Sequence, residues 1–166
     1  VTSIIGFAGW SGAGKTTLIR QIITRLVGQG LRVATLKHAH HSFDIDQPGK
    51  DSWEHRKAGA AEVLVVSETR WALMHELNGA PAPSLPELLA RLAPADIVLV
   101  EGFKAAPIPK LEVFRKANEK PPLHAQDASI IAIAADIAFP EAGRPVLPLD
   151  DIAGITDFIL AHAATF

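Results

Sequence analysis

The run GWSGAGKTT, Gly9 to Thr17, decides how the rest of the chain is read. Gly9, Gly14, Lys15 and Thr16 satisfy G-x-x-x-x-G-K-[ST], with a further glycine at Gly12. Glycines at this spacing let the backbone curl round a phosphate with its N–H groups pointing inward, and a helix that begins near Lys15 adds the positive end of its dipole. Lys15 then reaches the β and γ phosphates, and Thr16 offers a hydroxyl to magnesium. The expected phosphate cradle is therefore Gly9, Ser11, Gly12, Ala13, Gly14, Lys15, Thr16 and Thr17.

The flanks agree with that reading. "SIIGFA" before the loop reads as a buried strand, and Leu18, Ile19, Ile22, Ile23, Leu26 and Val27 after it recur at helical spacing until Gly28 and Gly30. "RVATLKH" is the next strand, which completes the strand, loop, helix, strand unit that begins a parallel α/β sheet. A short helix is expected from Asp51 to Ala58, ended by Gly59. "AEVLVVS" and "RWALMHEL" read as two strands joined at Glu68 and Thr69, adding an antiparallel edge to the sheet. Ser84 and Glu87 form a capping-box pattern that opens a helix stopped before Pro94. "DIVLVEG" has the continuous apolar character of a central parallel strand, "KLEVF" and "SIIAIA" add two more, and the acidic caps of "DDIAGITDFILAH" open a final helix. The expected fold is a three-layer P-loop NTPase-like α/β domain, residues 1–166 as one unit, with a mostly parallel sheet and an antiparallel edge.

Composition narrows the function. The chain has 166 residues, 48% of them apolar and 20% charged, which is ordinary for a globular domain with a buried core. Its 16 Lys and Arg are interspersed with 18 Asp and Glu, so no concentrated basic face for nucleic acid is expected. The absence of cysteine excludes disulfides, thiolate zinc sites and a cysteine nucleophile. No apolar stretch approaches the roughly 18 residues needed to span a bilayer, and the strand-like opening leaves no room for a signal peptide. A cytoplasmic location without membrane attachment is the expectation.

A P-loop enzyme also needs a carboxylate near the magnesium, at the carboxyl end of a neighbouring strand. Asp96 and Glu101 flank "IVLV" and lie roughly 16 Å apart along an extended strand. Glu101 is at the correct end, so it is the expected catalytic and magnesium-side partner of Lys15, whether it shares a water with the metal or orients one. Asp96 is expected to turn or cap the chain at the opposite edge. The polar loop "KHAHHSFDIDQPGKDS", Lys37 to Ser52, follows a strand end, where Asp44 or Asp46 would approach magnesium, or Lys37 and Lys50 a second anionic ligand. His38, His40 and His41 have the chemistry of a transition-metal site, against which stands the ordinary solvated loop. Arg56, Lys104, Lys110 and Arg115 extend the basic wall expected for a second anion, with surface ion pairs as the alternative. Asp136, just past "IAIAA", can accept from the N1–H and the exocyclic amine of guanine; a helix cap or loop role is the alternative.

"GWSGAGKTTL", "KHAHHSFDIDQPGKDSWEHRKAGA", "VEGFK" and "PKLEVFR" together resemble the molybdopterin-guanine dinucleotide biosynthesis protein B family, over most of the chain. The resemblance implies a GTP-binding adapter with weak, magnesium-dependent GTPase activity. It further implies a homodimer, and a partnership with the guanylyltransferase that attaches GMP to molybdopterin; whether molybdopterin itself is a ligand is left open by the sequence. Related dimerising ATPases carry an extra lysine where this loop has Trp10, so a lysine donated across a dimer from that position is not available and slow hydrolysis is expected. The alternative function is a P-loop kinase passing the γ-phosphate of ATP or GTP to a small acceptor gripped by Lys104, Lys110 and Arg115.

Overall fold

The computed structural model describes residues 2–39 and 42–166. In chain order the elements are β1 (Ser3–Ala8), α1 (Lys15–Gly28), β2 (Val33–Lys37), α2 (Asp51–Lys57), β3 (Glu62–Val66), β4 (Trp71–His75), α3 (Leu85–Leu89), β5 (Ile97–Glu101), β6 (Lys110–Phe114), β7 (Ile130–Ala135), β8 (Val146–Pro148), α4 (Ile152–His162) and β9 (Ala164–Thr165). The contacts form two compact units: Val1–His38 with Leu89–Phe166, and Ala39–Leu88.

In the first unit the strands run β2-β5-β1-β6-β7-β8, all parallel. The register of β6 begins opposite Gly6, so the lower edge of β1 is left open, and the antiparallel β9 takes it through Ser3 and Ile4. One face of this sheet follows the sequence closely. Ile5 and Phe7 of β1, Leu99 of β5, Leu111 and Val113 of β6 and Ala132 and Ala134 of β7 form a core with Leu18, Ile22 and Leu26 of α1 and Ile155 and Ile159 of α4. Spacing of four and eight residues along α1 places its three anchors on one stripe. Val27, which helical spacing includes in the α1 pattern, is exposed, as is Leu160 of α4. Asp151 caps α4 by accepting from the N–H of Gly154.

On the face of the sheet that carries Gly6, the connections after β5 and β6 contain no α-helix. The segment after β5 crosses β1 at Gly6, where a Cβ would stand 3.2 Å from Ile108 Cδ1 and 2.9 Å from Lys110 Cγ. Irregular backbone pressed onto a sheet exposes polar groups that no ladder satisfies, and two buried charged side chains meet that need. Glu112, 1% exposed, accepts from the N–H groups of Leu123 and His124 and pairs with His124 Nδ1 at 2.8 Å. Lys110, 4% exposed, donates to the carbonyls of Lys104 and Ala106, to Ser129 Oγ and to Asp127. Burial pushes the Asp127 carboxyl upward, but the hydroxyl and N–H of Ser129 outweigh it, with the Lys110 charge, so it lies below the ordinary aspartate value.

In the second unit, β3 and β4 pair antiparallel from Glu62 opposite His75 to Val66 opposite Trp71, and their turn closes from Ser67 to Arg70. They form a sheet of their own and not the antiparallel edge expected from sequence. Leu64, Val66, Trp71 and Leu73 share one face of this ribbon, and all four are exposed. α3 is the capping-box helix, shorter than expected at five residues, with Glu87 accepting from both the N–H and the hydroxyl of Ser84.

Replacing Glu112 by Leu strands two backbone N–H groups and an imidazole, so it is expected to cost about 3 kcal/mol. Urea unfolding checks this: the midpoint falls at unchanged slope, and Glu112→Gln, which keeps an acceptor oxygen, loses less.

Candidate functional site

The loop from Gly9 to Gly14 leaves the carboxyl end of β1 and delivers Lys15 to the start of α1. Its first glycine is obligatory on two counts: Gly9 has φ of +147°, and a Cβ there would sit 2.7 Å from the Val113 carbonyl. Gly14, at φ of +89°, is the N-cap of α1, where no side chain caps the helix and no acidic residue occupies the first turn. The N–H groups at this helix start therefore keep their positive end for a ligand. Ala13 is buried beneath the loop, while Ser11, Gly12, Thr16 and Thr17 are exposed.

Lys15 Nζ donates to the carbonyls of Gly9 at 2.7 Å and Trp10 at 3.0 Å. Burial holds its ammonium below the ordinary lysine value; the Glu101 carboxylate works against that, while Lys37 and Lys104 add to it. Glu101 stands at the carboxyl end of β5, level with Phe7 of β1 and Lys37 of β2, with Lys37 Nζ 3.7 Å from its Oε2. Lys15 and Lys37 thus both act on the one carboxylate at the strand ends, with the Lys104 charge also felt by Lys15, which is a field suited to a polyanion. A hydroxyl at Thr16 and a carboxylate at Glu101 are hard oxygen donors of the kind magnesium takes alongside waters, so this donor set fits that ion. Asp96 lies at the other end of β5, accepting from the Arg32 N–H at 2.6 Å, as its position in the sequence suggested.

The connection after β6 also meets the loop. Asn118 Nδ2 donates to the Ser11 carbonyl at 3.1 Å, and the Trp10 indole donates to the Pro121 carbonyl at 2.8 Å. Asp136 Oδ1 accepts from the Lys116 N–H at 2.9 Å, which is the loop role weighed against guanine recognition. Next to Asp136 opens a largely apolar cleft of about 470 Å³, lined by Ile137, Phe139, Pro140, Val146 and Pro148. Asn118 and the closing strand β8 are not legible in the sequence, because neither a lone asparagine nor a three-residue strand that ends in Pro148 carries a periodic signal.

The other candidates divide. Lys104 and Arg115 belong to the unit that carries the phosphate loop, and Lys110 lies in the same unit with its donors spent on the chain's own acceptors. Asp44, Asp46, Lys50 and Arg56 belong to the second unit. There Arg56 is bracketed by three carboxylates, with Nη2 at 2.8 Å from Asp44, Nε at 3.2 Å from Asp46 and Nη1 at 3.0 Å from Glu76. The Asp46 N–H, with help from Arg56, holds the Asp44 carboxyl below its ordinary value. Lys50 is exposed at the start of α2. His38 lies edge-on to Phe103 with ring centroids 5.2 Å apart, and His40 and His41 fall outside the described residues. Among the described residues no group of three or more His, Cys, Asp or Glu has the arrangement of a metal site.

Comparison with known proteins returns molybdopterin-guanine dinucleotide relatives and, at 29% identity over 60% of this chain and 51% of its own length, a uridine kinase of Leuconostoc citreum. Residues 4–136 match the family model for molybdopterin guanine dinucleotide synthesis protein B. A molybdopterin-guanine dinucleotide biosynthesis adapter protein of Escherichia coli is 41% identical over 95% of this chain and 91% of its own length. Its namesake in Haemophilus influenzae is 39% identical over 94% of this chain and 86% of its own. The crystal structure of Bacillus subtilis MobB superposes with a TM-score of 0.78 at 28% identity, covering 99% of both chains.

Two glycines test the local geometry with opposite signs. Gly9→Ala is expected to lose about 1–3 kcal/mol through backbone strain and the Val113 carbonyl. Gly28→Ala, in the last turn of α1 with no atom within 4 Å of the new methyl, is expected to gain about 0.5 kcal/mol. Thermal unfolding of the two variants distinguishes them.

Proposed function

The chain belongs to the molybdopterin guanine dinucleotide synthesis protein B family, and from that premise we propose that it is a GTP-binding adapter with weak GTPase activity. The family places its work in molybdopterin guanine dinucleotide biosynthesis, and the partner proposed for it is the guanylyltransferase of that pathway. The observation that carries the nucleotide reading is the half-buried Lys15 at an uncapped helix start, facing Glu101 among further lysines. The N–H groups that the loop and the first turn of α1 leave unengaged would hold the phosphates, Lys15 would bind the β and γ oxygens, and Thr16 and Glu101 are the oxygen donors that would hold magnesium. Magnesium, when bound, supplies charge neutralisation on the β and γ phosphates. The adjacent apolar cleft accepts a purine, and Asp136 Oδ2 is the oxygen offered to guanine, since Oδ1 is engaged by the Lys116 N–H.

Slow hydrolysis follows from what the loop lacks. The Trp10 indole is tied to the Pro121 carbonyl and carries no positive charge, so this position contributes no cation across a dimer. A kinase reading is less well supported: of Lys104, Lys110 and Arg115, the residues expected to grip an acceptor, Lys110 has its ammonium taken up by the Lys104 and Ala106 carbonyls, Ser129 and Asp127. The homodimer belongs to the same proposal. A two-stranded ribbon is marginal alone in water, and the exposed face of Leu64, Val66, Trp71 and Leu73 is the apolar surface a second copy would cover. A cytoplasmic location is part of the reading as well; among the described residues no helix is long and apolar enough to cross a membrane.

Titration calorimetry with magnesium is expected to show tighter binding of GTP than of ATP, with phosphate release well below about 1 s⁻¹, slower than typical enzymes. Asp136→Ala is expected to erode the preference for GTP while leaving ATP affinity unchanged. Equal affinity for the two nucleotides in the parent protein removes the guanine assignment, and rapid release dependent on a small acceptor favours a kinase. Sedimentation of Trp71→Glu is expected to show a monomer where the parent is a dimer.

A further inference from the structure

Arg115 follows the last residue of β6, and its guanidinium lies along the outside of the turn that opens α1. A Cβ at Gly14 would stand 2.9 Å from Arg115 Nε, 3.5 Å from Nη2 and 3.6 Å from Cζ. The guanidinium therefore sits against the residue that precedes Lys15, at a helix start that is itself the positive end of a dipole and holds no acidic side chain. Two cationic elements side by side are unfavourable unless an anion joins them.

None is supplied among the described residues: Arg115 is exposed and its donors meet no acceptor, as is also true of Arg20, Arg25, Arg70 and Arg91, but of these Arg115 alone is shown against the phosphate loop. Its backbone is nevertheless fixed. The next residue donates its N–H to Asp136, Asn118 donates to the Ser11 carbonyl, and Asn118 Oδ1 lies 2.9 Å from where a Cβ of Gly12 would be. Phe114, just before it, packs edge-on against Phe139 with centroids 4.8 Å apart. A rigid base thus carries an arginine with unspent, planar donors to the rim of the phosphate loop, the geometry that suits bidentate capture of phosphate oxygens.

We propose that Arg115 is a ligand of the nucleotide's phosphate chain, supplied in cis beside the phosphate loop; this rests on the nucleotide-binding reading above. It adds a cation to a loop in which Trp10 contributes none. Asn118 acts as a positioning residue that keeps the loop and the Arg115 backbone in register.

The experiment measures dissociation constants of the full-length protein for magnesium-GTP, and for inorganic tripolyphosphate by competition, together with the melting temperature without ligand. For Arg115→Ala, both constants are expected to rise about tenfold or more, with the melting temperature unchanged. Arg115→Lys is expected to recover part of the loss, because the charge returns without the fork. Unchanged constants in Arg115→Ala overturn the proposal. So does a rise for GTP without one for tripolyphosphate, which would put Arg115 on the base or ribose. So, too, does weaker binding that follows a lowered melting temperature and is not recovered by lysine, which would make its role structural. The underlying reading fails differently: the parent protein then binds neither ligand, and the inference about Arg115 falls with it.

Discussion

An ammonium pressed against two carbonyls of its own loop, with burial working against its charge, is the constraint on which the rest of the site depends. Lys15 occupies that position because Gly9 turns the chain under the Val113 carbonyl and Gly14 opens α1 in a left-handed conformation. The helix start adds further positive potential, and Lys37 and Lys104 add more, against the single carboxylate of Glu101. Such an arrangement is electrostatically incomplete, and that incompleteness is what supports the proposed polyphosphate ligand.

The same need explains the opposite face of the sheet. Helices α1 and α4 cover one side with apolar stripes, whereas the crossovers on the Gly6 side lie across the strands as irregular backbone. Glu112 and Lys110 supply the buried acceptors and donors that this backbone requires, and in doing so they fix the segments that carry Lys104 and Arg115. Buried charge here shapes the rim of the site through the backbone that it holds.

Much of this was legible in the chain. The glycines of the phosphate loop, the stripe Leu18, Ile22 and Leu26, and the continuous apolar run Ile97–Val100 each carry a strong local signal and fold as they read. The placement of Glu101 and Asp96 at opposite ends of β5 followed from strand length alone. Other features depend on tertiary partners. "KLEVF" alternates like a half-exposed strand, yet a strand inside a parallel sheet has both faces covered, so Lys110 and Glu112 had to be buried with partners drawn from 104 to 129. The β3–β4 ribbon has the pattern of a sheet edge, but its apolar residues on both strands pair only with each other. Arg56 read as a candidate for phosphate, and no spacing rule showed that Asp44, Asp46 and Glu76 would converge on it.

The most direct test of the central claim is amide hydrogen exchange of the full-length protein with and without magnesium-GTP. The account predicts that the backbone N–H groups of Gly12 to Thr17 become protected when the nucleotide is added, and that Lys15→Ala abolishes this protection while leaving the β1 and β5 amides unchanged. Exchange in Gly12 to Thr17 that ignores saturating nucleotide would contradict it.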